Sequence, residues 1–348
     1  MAKSDKSVEN RMKETPADWL AKTDEAVLEP DLPIIDPHHH LWDFKRSRYL
    51  LDEILADTDS GHNIRQTVFI ECTACWRPKG GGPEEMRPVG EIEFVNGIAA
   101  MSASGRYGET RVAAGIVGHA DLGLGKPVGD VLAAMDAAGG GRFRGVRHSI
   151  SFDEADEVHN SHVGAPPDLY RTQGFQDGFR TLGDMGFSFE AWMYHPQLGE
   201  LAWLLDKCPD TPAVLNHCGG PLGVGPYASK RDEVFQNWKA GVEAVAKAGN
   251  AYVKLGGLGM PINGFGFQDR EAPPTSEELA DAWRPYIDVC IEAFGPERCM
   301  FESNFPVDKV SGSYKTYWNA FKRLASGASD AEKADLFHDT AQRFYKLP

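Results

Sequence analysis

The feature that most constrains this chain is a repeating alternation. Eight short, apolar, β-rich runs recur along it: Leu32–Asp36, Gln66–Glu71, Val112–Val117, Phe143–His148, Phe187–Trp192, Ala213–Asn216, Ala251–Leu255 and Cys299–Ser303. Each gap is long enough to hold one helix, and parallel strands need such a crossover. Several gaps carry the helical period. Val234, Trp238, Val242 and Val245 share one helix face, as do Leu279, Trp283, Ile287, Ile291 and Phe294, with Pro285 expected to begin or kink that helix. Ser329-Asp-Ala-Glu332 has capping-box spacing and predicts a last helix, over Leu336, Phe337, Thr340 and Phe344, packed outside the strands. Eight βα units predict a closed (β/α)₈ TIM barrel rather than an open doubly wound sheet. No glycine-rich dinucleotide fingerprint follows the first run. The expected organisation is an N-terminal extension, 1–31, and a single barrel, 32–348.

Loop lengths say which end of the barrel is elaborated. Turns entering strands are short, as at Ala248-Gly-Asn250, Met185-Gly186 and Phe294-Gly-Pro-Glu297. Segments leaving strands are long: Trp76–Pro83, Ser149–Pro167, His217–Lys230 and Gly256–Thr275. All strand exits share the C-terminal face of a parallel barrel, where barrel enzymes keep their sites. Gly256–Thr275, with five glycines, is a candidate lid.

Charge narrows the partners. A formal net charge of −15 argues against nucleic acid and anionic membrane surfaces, since both need a basic face. A small molecule is the expected partner, and an anionic one would need locally placed arginines. A homo-oligomer is compatible with the chain. No run of about eighteen apolar residues is present, and the first thirty residues hold no apolar leader core, so a cytoplasmic protein is expected. Cys72 and Cys75 form an isolated pair; with Cys208, Cys218, Cys290 and Cys299 they read as reduced thiols.

The densest chemistry lies in Asp36-Pro37-His38-His39-His40-Leu41-Trp42, ending the first strand. Strand side chains alternate faces, so His38 and His40 point one way and His39 the other. Two imidazoles on one side can chelate a metal ion or grip an oxyanion. His195, in Trp192-Met-Tyr194-His195-Pro196, and His217, in Leu215-Asn-His217-Cys-Gly-Gly-Pro221, close the fifth and sixth strands.

These motifs, with Phe143-Arg-Gly-Val-Arg147-His148 and Met300-Phe-Glu-Ser-Asn304-Phe-Pro306, resemble the amidohydrolase-related family of predicted metal-dependent TIM-barrel hydrolases. That family includes sugar-acid lactonases and the 2-pyrone-4,6-dicarboxylate lactonase. The resemblance runs from about Leu32 to Leu347. It implies that His38, His40, His195 and His217 are site histidines and that the eighth-strand position is catalytic.

The chain departs from the family there. Many members carry a Ser-Asp-Trp-Pro-like run whose aspartate activates water, whereas this chain reads Ser303-Asn304-Phe305-Pro306. An amide accepts no proton usefully near neutral pH. Asp308, Glu71 and Glu190 are then candidate bases, and a metal-bound water reduces the need for one. Binuclear members use a carboxylated lysine at the fourth strand, where this chain has Arg147. A single ion, zinc or manganese, held by His38, His40 and His195, is therefore expected, with a metal-free site as the alternative. Arg147 suits a carboxylate of the ligand, beside Glu71 and Tyr194; Lys254 is a further contact. The reading is a hydrolase opening a small, carboxylated lactone. The rivals are a non-oxidative decarboxylase of an aromatic or dienoic acid and a non-catalytic ligand-binding barrel.

Overall fold

The computed structural model describes residue 12 and residues 14–348; the rest of the extension, 1–11 and 13, lies outside the described residues. Eight parallel strands form one sheet in sequence order: β1 Pro33–His39, β2 Asn63–Ile70, β3 Arg111–Gly118, β4 Phe143–Arg147, β5 Ser188–Ala191, β6 Ala213–Leu215, β7 Ala251–Leu255 and β8 Cys299–Phe301. The sheet closes where Asn304 N–H donates to the His38 carbonyl at 2.9 Å and His40 N–H donates to the Phe305 carbonyl at 2.8 Å. A helix follows each strand: α1 Leu51–Thr58, α2 Val89–Ala103, α3 Val128–Gly139, α4 Gln173–Asp184, α5 Leu198–Lys207, α6 Arg231–Ala246, α7 Ser276–Phe294 and α8 Tyr314–Leu324. The fold is a TIM barrel, as the alternation predicts.

Both faces of each strand are buried, and the two-residue period divides the core. Ile34, Phe69 and Ile116 face the helices, while Ile35, Val68, Ile70, Val117, Val214 and Met300 fill the barrel. The predicted faces of α6 and α7 meet the outer layer through Val234, Trp238, Leu279, Trp283 and Ile287. Pro285 lies inside α7, which begins instead at the Thr275 capping box, where Thr275 Oγ1 accepts from Glu278 N–H.

One expectation fails at the C-terminus. The Ser329 capping box forms, with its hydroxyl accepting from Glu332 N–H. The segment after it does not stay outside. Ala341, Phe344, Tyr345 and Leu347 join the interior layer and plug the barrel, and the Tyr345 hydroxyl donates to the buried Glu190. An apolar stripe looks the same whether it covers a barrel wall or enters one end. The extension also crosses the fold: Trp19 Nε1–H donates to the Arg270 carbonyl at 2.9 Å and Thr23 Oγ1–H to Pro273 at 2.8 Å. No helix among the described residues is long and apolar enough to cross a membrane.

Candidate active site

The end of β1 delivers His38 and His40 to one side, 5.1 Å apart between ring centroids. His39 turns away, its Nε2 2.8 Å from Thr67 Oγ1. The exit of β6 adds His217, whose ring lies 4.5 Å from that of His38. Glu302, just beyond β8, joins the two: its Oε2 is 2.7 Å from His38 Nδ1 and its Oε1 is 2.7 Å from His217 Nδ1. Oε1 also accepts the His217 backbone N–H at 3.0 Å. His40 Nδ1 sits 2.8 Å from the Ile70 carbonyl, so Nδ1 carries the proton and Nε2 keeps the lone pair.

The backbone is bent to make this cluster. His217 and Asn304 both have φ of 55°, a region sparsely populated by residues other than glycine and frequent at functional sites. The β7 exit presses against both acids and bases of the cluster. A Cβ at Gly257 would lie 2.4 Å from His217 Cβ, and one at Gly256 would lie 2.3 Å from the Glu302 carbonyl oxygen. Only glycines permit that approach.

Buried charge is nearly balanced. Lys254 Nζ contacts Glu190 Oε2 at 2.7 Å, donates to the Pro37 carbonyl at 2.9 Å and lies 3.3 Å from His38 Nδ1. Arg147 Nε donates to Glu71 Oε1 at 2.7 Å and Nη2 to the Glu71 carbonyl at 2.5 Å, while Nη1 sits 3.4 Å from His38 Nε2. Glu71 and Glu190 are matched by Arg147 and Lys254, which leaves Glu302 without a cation of its own; burial pushes the nearby carboxyls of Asp36, Glu91 and Asp308 up. The imidazoles do not offset the Glu302 charge. Burial, with Lys254 nearby, holds His38 well below the usual histidine range; burial lowers His217 against the opposing pull of Glu302; burial and Arg147 depress His40.

This donor set fits a cation. Glu302 Oε2 is buried without a hydrogen-bond partner, although His38 Nδ1 is 2.7 Å away. An orphaned buried carboxylate oxygen is costly unless an ion satisfies it. His38, His217 and Glu302 each offer a ligand atom within 4.8 Å of the others.

A cavity of about 760 Å³ opens over the cluster. His40, His217, Arg147, His162 and Asn304 supply polar wall, and Trp42, Trp192, Tyr194 and Met260 supply apolar wall. Met12, Glu14 and Trp19 of the extension, with Met260–Ile262 and Gln268–Arg270 of the β7 exit loop, form its outer side. The loop expected to be a lid is thus part of the wall.

The structure redistributes several expected site residues. His195 is not among the residues lining the cavity: past β5 the chain turns into a 3₁₀ segment, and the His195 ring meets Tyr227 at 5.4 Å while its Nδ1 accepts from Leu222 N–H at 3.4 Å. Glu302 takes the third place in the cluster. Asp308 is fully buried behind Asn304, accepting from Asn304 Nδ2 at 2.8 Å and from Gly259 N–H at 3.0 Å. Burial pushes its carboxyl well above the usual range, so it holds Asn304 in place and has no open path to a water in the cavity. Asn304 therefore presents its Oδ1, buried and without a partner, as an acceptor. Glu71 is buried between Arg147 and His162. Glu190 belongs to Lys254, Asn216 and Tyr345. Tyr194 lines the cavity, with its hydroxyl donating to the His159 carbonyl. All six cysteines are free thiols.

Sequence reasoning missed Glu302 and His162. Glu302 had a signal: it lies two residues before Asn304, in register with it. His162 had none, being one of two histidines, with His159, in a polar loop.

The family described as amidohydrolase matches residues 35–347. An uncharacterised protein, y4mH, of Sinorhizobium fredii is 33% identical over 343 residues, covering 91% of this chain and 99% of its own. The L-fucono-1,5-lactonase of Burkholderia multivorans is 25% identical over 326 residues, covering 90% and 96%. A crystal structure of a Burkholderia multivorans amidohydrolase with bound zinc superposes with a TM-score of 0.66 at 22% identity, covering 90% of this chain and 99% of that one.

Proposed function

The chain belongs to the amidohydrolase family, and from that premise we propose that it hydrolyses a small, neutral, polyhydroxylated lactone to its hydroxy acid. The carrying observation is the Glu302 carboxylate joining the Nδ1 atoms of His38 and His217 beneath a cavity of mixed aromatic and polar wall. Glu302 holds the His217 ring through Oε1 and leaves Oε2, beside His38 Nδ1, open to a cation. The alignment with a lactonase over nearly its whole length supports the reaction class.

The cavity argues for a neutral ligand over the carboxylated one expected from sequence. A planar guanidinium recognises a carboxylate with two parallel N–H groups. Arg147 spends Nε and Nη2 on Glu71 and keeps only Nη1. Arg270, at the rim, pairs with Glu278 at 2.9 Å. Arg147 thus has no fork to offer, and Arg270 commits one nitrogen to Glu278. Trp192, half-buried at the wall, gives a flat surface suited to the C–H face of a sugar ring, and Ser151, Asn160 and Ser161 offer partners to its hydroxyls.

If a divalent ion is bound, zinc or manganese, His38, His217 and Glu302 would hold it, and it would supply Lewis-acid polarisation of the ester carbonyl. The chain's own residues bind and orient the ring. Asn304 Oδ1 accepts from a water, His40 Nε2 accepts from a hydroxyl of the ligand, and Arg147 Nη1 donates to an ester oxygen.

A substrate panel tests this reading. Neutral aldonolactones should be opened with kcat/KM at least about tenfold above a pyrone dicarboxylate, a difference of roughly 1.4 kcal/mol. Preference for the dicarboxylate would reverse the substrate assignment, and release of CO₂ from an aromatic acid without lactone turnover would replace the reaction class.

A further inference from the structure

We infer that His162, oriented by Glu71, is the general base and then the general acid of the lactone opening proposed above, on which this inference rests. The chemistry needs a group that removes a proton from water and returns it to the ring oxygen, and His162 lines the cavity with a carboxylate outside the cation cluster holding it. Asn304 is an amide. Both oxygens of Asp308 are occupied behind it. His38 and His217 belong with Glu302 to the cation cluster. His40 has a carbonyl and no carboxylate behind Nδ1, and burial with Arg147 nearby holds it well below the usual histidine range; His195 stands outside the cavity wall.

His162 is placed differently. It comes from the long loop leaving β4, lines the cavity, and sets Nε2 2.9 Å from Glu71 Oε2. The loop is pinned next to it: Ser161 N–H donates to the Ser151 carbonyl at 2.6 Å and Ser161 Oγ to the Ser149 carbonyl at 2.9 Å. Glu71 is itself fixed by Arg147. Burial alone would raise the Glu71 carboxyl, but His162 and Arg147 hold it well below the usual range, so it stays an acceptor. The other titratable groups around the pair are Glu91, Cys72 and His40, with His119 and His148 at the exits of β3 and β4. A base within reach of the site and held by a third group is the arrangement that activates a nucleophile.

The proton account closes. Glu71 accepts Nε2–H, which leaves the lone pair on Nδ1. Nδ1 takes a proton from water as the water oxygen bonds to the carbonyl carbon and the C=O pair moves to oxygen. The carbonyl re-forms, the ring C–O bond breaks, and the ring oxygen takes the proton back from Nδ1. Lactone and water give a hydroxy acid, and His162 returns neutral.

The experiment is a pH–rate profile on a neutral aldonolactone for the parent, His162→Gln and His162→Ala, the last with added imidazole. Removing the base should lower kcat by about 10²-fold or more with KM within about threefold, and abolish the acid limb of the profile. Imidazole should restore His162→Ala by at least about tenfold, following the free-base fraction, which a merely structural role would not do. Glu71→Gln should show an intermediate loss; if it fails to fold, the imidazole rescue still decides. A His162→Ala variant with the parent's kcat and acid limb would overturn the assignment of the base alone. A parent that opens no lactone would instead strike the functional reading.

Discussion

His195 and Asn304 show how much a residue's role depends on what surrounds it. His195 looks like a ligand in sequence because it follows a strand, yet four residues beyond β5 it belongs to a turn. Its ring is mostly buried, and burial lowers it to about 4, against an opposing pull from Asp153. Between the ordinary histidine value and about 4 the unfolded chain binds the extra proton, so this contribution to stability is present at neutral pH and is lost as pH falls through that window. Urea unfolding at pH 7 and pH 4 should show the parent losing on the order of 3 kcal/mol more than His195→Asn, while kcat stays within about threefold. Parallel losses, or a collapse of kcat, would return His195 to the site. Asn304→Asp would set a second carboxyl 2.8 Å from Asp308. Two such groups share a proton rather than both ionise. Metal should bind at least about tenfold more tightly, or 1.4 kcal/mol, with no gain in kcat/KM; calorimetric titration with zinc beside steady-state kinetics checks both. His38, His40, His217 and Arg147 were legible because strand alternation and exit position fix where they point. Asp308 and Glu71 were not, because a carboxylate facing water and one locked behind an amide or an arginine read alike in sequence.

At the scale of elements, the strands were legible because both faces of each are buried, leaving apolar runs where no loop would carry them. The C-terminal segment was not, since its stripe fits either side of the barrel wall. Nor was the contact between the extension and the β7 exit loop, which pairs residues about 250 positions apart. The β7 exit carries the sharpest test. Gly257 has φ of 67° and stands against His217. Gly257→Ala must both strain the backbone and displace that ring, so a destabilisation of about 1–3 kcal/mol is expected. Activity should fall by about 10-fold to 10²-fold, since a small misplacement of a reacting group costs that much. Thermal unfolding beside kcat measures the pair. An alanine variant with parental kcat would show that the position of His217 is not critical.

For the whole molecule, a formal charge of −15 surrounds a cavity whose buried cations are already paired. Such a field disfavours anionic ligands near the surface at low salt and favours cations at Glu302. The barrel therefore places one uncompensated carboxylate beside two neutral imidazoles. On the proposed function, Glu302 organises this centre for lactone opening. The most direct measurement is lactone turnover, followed by acid release at fixed pH, for the parent and Glu302→Gln, with metal content and circular dichroism on the same samples. The account predicts an intact fold, loss of any bound divalent metal, and a fall in kcat/KM of at least about 10²-fold. A folded Glu302→Gln variant that opens the lactone at the parent's rate would contradict it.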